Sequence, residues 1–248
     1  MKKTSVSLFL MAIISLAVIS CGGDSSDNTP SLNKSSITLY VDETEILTYS
    51  GGDCSWWSDN DLIATVENGT VTGKHVGETI IHAKDKTCTV TVKAKYNSYT
   101  EPYMNWGASQ STIESFMSGY TLRSSSSTSL IYDGKGKVLS YGYTFESNAL
   151  KASAFLVSLY NTDLVDFLTE RYVVAKVEEE SSSEYWVYMV SVDAKLVIAL
   201  NVSKSGCGVV YMPASSSRGS ATRSTDIDAE LTNQIKLMRT ALVESLGK

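Results

Sequence analysis

Histidine, proline and cysteine are scarce in this chain: two, three and four residues among 248. Both histidines, His75 and His82, lie before residue 94, so the long stretch that follows has no imidazole. A Ser-His-Asp or Cys-His pairing within residues 96–214 is thereby excluded unless the preceding segment contributes. There is no CxxC and no closely spaced His/Cys pair, so a zinc site has no ligand set to build on. Positive charge is in deficit as well. The 21 Lys+Arg stand against 27 Asp+Glu, a net −6, which leaves no electrostatic footprint for nucleic acid. Gly134 and Gly136 with Lys135 and Lys137 make a two-glycine turn, not a loop that cradles phosphate. Glu178, Glu179 and Glu180 stand side by side and read as a solvated acidic face. Nothing in the sequence sets one of these carboxylates apart from the next, as glycosidase chemistry requires. The expectation is no catalytic residue, no metal, no cofactor and no enzyme.

Long apolar runs are also missing, apart from one at the start. Lys2 and Lys3 precede an uncharged apolar run over residues 6–19. That is the grammar of a signal peptide, and the run is short for a membrane-spanning helix, which needs about 20 apolar residues. The segment Val18, Ile19, Ser20, Cys21 resembles a lipobox, which implies cleavage before Cys21 and a diacylglycerol on its thiol. The freed amine can be acylated as well, and more than one acyl chain makes such an anchor stable. The expected partner is therefore a membrane, held through Cys21. Removing residues 1–20 takes away two lysines and no acid, and moves the net charge to −8. Residues 21–30 are small, polar and acidic and read as a flexible tether. Their style resembles tethers of Bacteroides-type lipoproteins, which implies the outer membrane and exposure at the cell surface.

Residues 31–94 carry short alternating runs at close spacing. Ile37, Leu39 and Val41 alternate with Thr38 and Tyr40. Residues 63–67 and 70–72 flank Asn68-Gly69, a strong two-residue hairpin signal, because both turn positions need positive φ. Strands at this spacing predict a small antiparallel sandwich. The runs Ser55, Trp56, Trp57, Ser58, Asp59, Asn60, then Ile63 to Val66, Asn68 to Gly73, Val76 to Ile81 and Val90 to Val92 closely resemble the bacterial immunoglobulin-like group 2 (Big2) domain. The resemblance covers about a quarter of the chain and implies a β-sandwich used as a spacer or adhesive module. Trp57 departs from the family pattern, which has serine there. Adjacent strand residues face opposite sides, so Trp56 is expected inside and Trp57 outside, packed under a loop, against the next domain, or on a ligand. Cys54 and Cys88 are the candidate disulfide in this segment, which export makes chemically permissible. Cys207 is left as an odd thiol.

Residues 96–214 mix helical and strand patterns and predict an α+β domain with an antiparallel sheet. Short helices are expected at 110–119, with Ile113, Phe116 and Met117 inward, and at 162–171, capped by Thr162. Leu139, Tyr141, Tyr143 and Phe145 alternate, as do Leu196, Ile198, Leu200 and Val202. Residues 185–192 are apolar on both faces and predict a strand covered on both sides. Residues 116–122 echo 167–174, and each is followed by a serine-rich stretch, which suggests a tandem repeat whose sheets join edge to edge or share one cover, with the final helix from Asp226 as the natural candidate. The order of helix and strands is similar to the helix-on-sheet units of β-lactamase inhibitor proteins and small outer-membrane assembly lipoproteins. Twelve of 14 tyrosines fall between Tyr96 and Tyr211, as binding residues or as ordinary strand formers. A Ser/Thr-rich linker, 215–225, leads to an amphipathic helix over 226–248. There Ile227, Leu231, Ile235, Met238, Leu242 and Leu246 recur at helical spacing, and the stripe either docks on the sheet or serves a partner.

The expected fold class is multidomain: an all-β immunoglobulin-like sandwich, then an α+β domain with an antiparallel sheet and a C-terminal helix. The expected function is a lipid-anchored envelope binding or adhesion protein with a protein or glycan ligand. The alternative is a protein inhibitor or envelope-assembly factor built on helix-on-sheet repeats.

Overall fold

The computed structural model describes residues 29–158, 163–204 and 206–214. The chain is mostly β-sheet, with two short helices among these residues. Seven strands make the first module: β1 (Ser36–Tyr40), β2 (Thr44–Ile46), β3 (Trp56–Ser58), β4 (Ala64–Glu67), β5 (Thr70–Gly73), β6 (Gly77–Ala83) and β7 (Lys86–Lys93). They form a four-stranded sheet in the order β1-β7-β6-β3 and a three-stranded sheet in the order β2-β5-β4. The alternation in β1 turns Ile37 and Leu39 inward, and they join Leu47, Val71, Ile81 and Val90 in one core between the sheets. Asn68 and Gly69 link β4 to β5 with φ of 49° and 83°, the positive pair that a two-residue hairpin turn needs. One expectation is corrected: the sandwich is not wholly antiparallel, because β1 runs parallel to β7. The chain passes into the other sheet after β1, so β1 and β7 meet without a hairpin between them.

The second module holds α1 (Gln110–Phe116), β8 (Leu122–Ser125), β9 (Ser129–Asp133), β10 (Val138–Glu146) and β11 (Ala149–Val157). These are followed by α2 (Leu164–Thr169), β12 (Tyr172–Ser181), β13 (Glu184–Ser191), β14 (Leu196–Ser203) and β15 (Gly206–Pro213). All eight strands form one antiparallel sheet in the order β12-β13-β14-β15-β11-β10-β9-β8. Each half therefore runs helix, then a four-stranded meander, and the halves meet where β11 pairs with β15. The serine-rich stretches occupy the same place in both, at the turns from β8 to β9 and from β12 to β13. Ser109 caps α1 by accepting from the backbone N–H of Thr112. The cap expected at Thr162 lies outside the described residues, and α2 begins one residue after Asp163.

One face of the sheet is covered by both helices and by the strap 94–108 that arrives from the first module. Tyr141 donates to the Thr100 carbonyl at 2.9 Å, Tyr172 to Glu101 Oε1 at 2.5 Å and Ser153 to the Tyr103 carbonyl at 2.5 Å. The strap is thus fastened by hydroxyls that stand on the sheet, which lets buried tyrosines satisfy their polar ends. Two inward expectations are corrected. Phe116 is 52% exposed, whereas Ile113 and Met117 are buried as expected; Phe116 rests instead on the Tyr103 ring, 5.0 Å away. Leu139 is 51% exposed while Val138 is buried. The pairing of β10 with β11 shifts register between Val138 and Ser140, and such a bulge turns the side chains before it to the other face.

Candidate functional site

Trp57 sits on β3, the edge strand of the four-stranded sheet. Trp56 packs against the sandwich core, and Trp57 points out with 44% of its surface exposed. Its ring lies flat on His82 of β6, with centroids 4.6 Å apart and planes 3° from parallel. The pairing follows from register, since Trp57 stands opposite His82 in the β3–β6 ladder. His82 Nε2 in turn lies 2.8 Å from Asp59 Oδ1. Trp57, His82 and Asp59 form a short chain in which the carboxylate orients the imidazole and the imidazole backs the indole. Its outer surface is a flat, supported aromatic plane, suited to stacking on an apolar or sugar face. The sequence pointed to Trp57 but not to its two supports, which are brought together by strand pairing over 25 residues. His75 is occupied elsewhere, with Nδ1 2.5 Å from the Leu62 carbonyl.

The candidate disulfide is corrected. Cys54 and Cys88 are both free thiols, and the register shows why. Cys88 pairs with Ile81 of β6, and Ile81 pairs with Ser58 of β3. Cys88 is therefore level with Ser58, four residues past Cys54, or roughly 13 Å along the strand direction. The two are also separated by the strand between them, whereas a disulfide needs Cα atoms about 4.4–6.8 Å apart. Burial pushes the Cys88 and Cys207 thiols up and away from thiolate chemistry. Cys21, residues 21–28 of the tether and the helix expected at 226–248 lie outside the described residues.

Glu170, at the end of α2, is only 5% exposed and joins the modules. Its carboxylate accepts the backbone N–H of Lys95 at 3.0 Å and of Tyr96 at 2.9 Å, and its carbonyl accepts the N–H of Val76 at 2.7 Å. Arg171 beside it donates to Asn97 Oδ1 at 2.9 Å and to the Phe167 carbonyl at 2.8 Å. Val192 of the second module packs against the sandwich core. An open recess of about 620 Å³ lies beside this joint, lined by Tyr40, Glu78, Thr91, Lys93, Asn97 and Arg171 among others. No signal in the sequence marked Glu170, because its partners are main-chain groups more than 70 residues away.

The tyrosines divide by burial. Tyr99, Tyr132, Tyr141, Tyr143, Tyr172, Tyr188 and Tyr211 are core residues, while Tyr96 and Tyr185 are exposed. Burial raises the Tyr141 hydroxyl to about 12 and pushes Tyr211 well above its ordinary value. Asp163 is held down at about 2, first by a hydrogen bond from Lys137 and then by Ser98; Lys137 Nζ lies 2.8 Å from both of its oxygens. The acidic run at 178–180 is not simply a solvated face. Glu178 pairs with Lys176 at 2.5 Å, and Glu180 accepts the indole N–H of Trp186 at 3.2 Å.

Among the described residues no group of three or more His, Cys, Asp or Glu is arranged to hold a metal, and no helix is long and apolar enough to cross a membrane. The chain matches no family model, no curated protein and no solved structure.

Proposed function

We propose that this chain is a lipid-anchored binding protein of the cell envelope. Cys21 carries the anchor, residues 31–94 act as an immunoglobulin-like spacer, and the eight-stranded domain is the recognition unit. The observation that carries this reading is the joint at Glu170. One buried carboxylate, accepting two backbone N–H groups, and one carbonyl contact fix the sandwich to the second module, an arrangement suited to holding a recognition domain at a set distance from a surface. The supported indole of Trp57 on an open sheet edge adds a contact point for a protein or glycan. The test is protease treatment of intact cells that express the full chain. A surface protein is cleaved without lysis, with Trp57→Ala reducing ligand capture by the soluble protein on a glycan or protein array. Full protection until the outer membrane is opened would sink the surface assignment.

A second reading is favoured by a specific observation. The two helix-plus-meander halves, joined through β11 and β15, have the organisation expected of helix-on-sheet inhibitor or envelope-assembly proteins. On that reading the partner is a protein and the chain faces the periplasm. Crosslinking in intact cells separates the two, because a periplasmic partner is captured only by a reagent that crosses the outer membrane.

A further inference from the structure

The outer face of the four-stranded sheet carries more than Trp57. Register sets Trp57 beside His82 and Thr87, and Ile80 beside Thr89 and Ser36. It also sets Glu78 beside Thr91 and Thr38, and Lys93 beside Tyr40. Side chains directly opposite on paired strands share a face, so all of these look outward, away from the sandwich core. Three large apolar groups among them are exposed: Trp57 by 44%, Ile80 by 38% and Tyr40 by 45%. Singly, an exposed apolar side chain needs no explanation. The placement of these three does.

They lie on one line. From Trp57 it moves one strand over and two residues along to Ile80, by the same step to Thr91, and by the same step again to Tyr40. Diagonal neighbours of this kind stand about 7–8 Å apart, so three steps cover roughly 20–25 Å. His82, Thr89 and Thr38 run beside the line on one flank, and Glu78 and Lys93 on the other. The track therefore has an aromatic ring at each end, aliphatic carbon between them and hydroxyls along one side. At its Tyr40 end it enters the recess of about 620 Å³ beside the joint, whose lining also includes Asn97 and Arg171.

We propose that this track binds an extended, uncharged polysaccharide laid from Trp57 to Tyr40. The proposal rests on the reading above that the exposed indole is a ligand contact, and it names the class of ligand. Charge selects that class first. The charged groups of the face are balanced, Glu78 against Lys93 and Asp59 against its partner His82, although the whole chain carries a net −6. Such a surface presents no field to a charged polymer and is complementary to a neutral one. The backbone selects next. The line crosses three strand pairings whose N–H and C=O groups bond one another, so an extended peptide on it finds no main-chain partner. The free edge of β3 would serve a peptide better. Polar contacts on the track must come from side-chain hydroxyls, each of which both donates and accepts, and a polysaccharide offers hydroxyls in return. Its sugar rings also present C–H faces that stack on the negative face of an aromatic ring. Trp57 is already held flat against His82, which lowers the ordering cost of binding.

Affinity electrophoresis of the full chain in detergent tests it. Laminarin, glycogen, mannan or xylan is cast in the native gel, with polygalacturonate as the charged comparison. At least one neutral polymer should retard the chain, and polygalacturonate should not. Trp57→Ala and Tyr40→Ala should each weaken that retardation by roughly tenfold, although they stand at opposite ends of the track. Oligosaccharides of the same polymer should compete for the chain far better than its monosaccharide. Both side chains are exposed, and circular dichroism of the variants checks that the fold is kept. Loss with Trp57→Ala but not with Tyr40→Ala overturns the track and leaves the single indole contact standing. Retardation that neither variant alters overturns both. Retardation by polygalacturonate alone, or by no polymer, overturns the proposal.

Discussion

Buried hydroxyls dominate the chemistry of single residues here. Tyr143 is almost fully buried, with its hydroxyl 3.3 Å from Met117 Sδ, and Tyr141 donates to the strap at Thr100. Burial favours the neutral phenol in each, so the folded protein holds these protons at a pH where the unfolded chain releases them. A raised folded value gives stability that is complete below the ordinary tyrosine value of about 10 and is lost as pH rises through it. For Tyr141 the loss extends to about 12. Alkaline titration is therefore expected to show tyrosinate absorbance from the buried rings appearing together with loss of circular dichroism. Smooth ionisation of every tyrosine near pH 10 with the fold intact would contradict it. Asp163 works at the other end of the scale. Its carboxyl is depressed to about 2, with Lys137 as the leading cause, so its contribution is present above about 3.9 and is lost as pH falls toward 2. Lys137→Met should move the Asp163 titration upward, followed by carboxyl NMR, and bring acid destabilisation to higher pH.

Elements were legible in the sequence to the extent that their cause is local. The β4–β5 hairpin was readable from Asn68-Gly69, because positive φ is a property of those two residues. Gly69→Ala should destabilise the first module by more than about 1 kcal/mol in denaturant unfolding. A Cβ there meets the Leu47 carbonyl at 2.4 Å as well as an unfavourable φ; wild-type stability in that variant would count against the turn. The alternations in β14 and on both faces of β13 were readable for the same reason. What could not be read depends on pairing. The bulge at Val138 that exposes Leu139, the parallel pairing of β1 with β7, and the level of Cys88 relative to Cys54 are all set by register between strands. Two cysteines 34 positions apart suggest a bridge by number alone, while register places them on different levels of the sheet. The support of Trp57 by His82 and Asp59 was hidden in the same way.

At the scale of the molecule, the joint at Glu170 decides whether the modules act as one. Glu170→Ala leaves the Lys95 and Tyr96 N–H groups without their carboxylate, a cost of roughly 2–3 kcal/mol. The expected outcome is that the two modules unfold in separate thermal steps, whereas Glu170→Gln, which keeps one acceptor, stays closer to wild type. A single unchanged transition in Glu170→Ala would show that the joint does not couple them. The central claim of the account, however, is that this joined pair is held at a membrane through Cys21. The most direct measurement is the intact mass and N-terminal peptide of the protein extracted from membranes of cells with lipoprotein-processing machinery. The account predicts a chain that begins at Cys21 and bears a diacylglycerol on its thiol. A chain that retains residues 1–20, or begins at an unmodified Cys21, would contradict it.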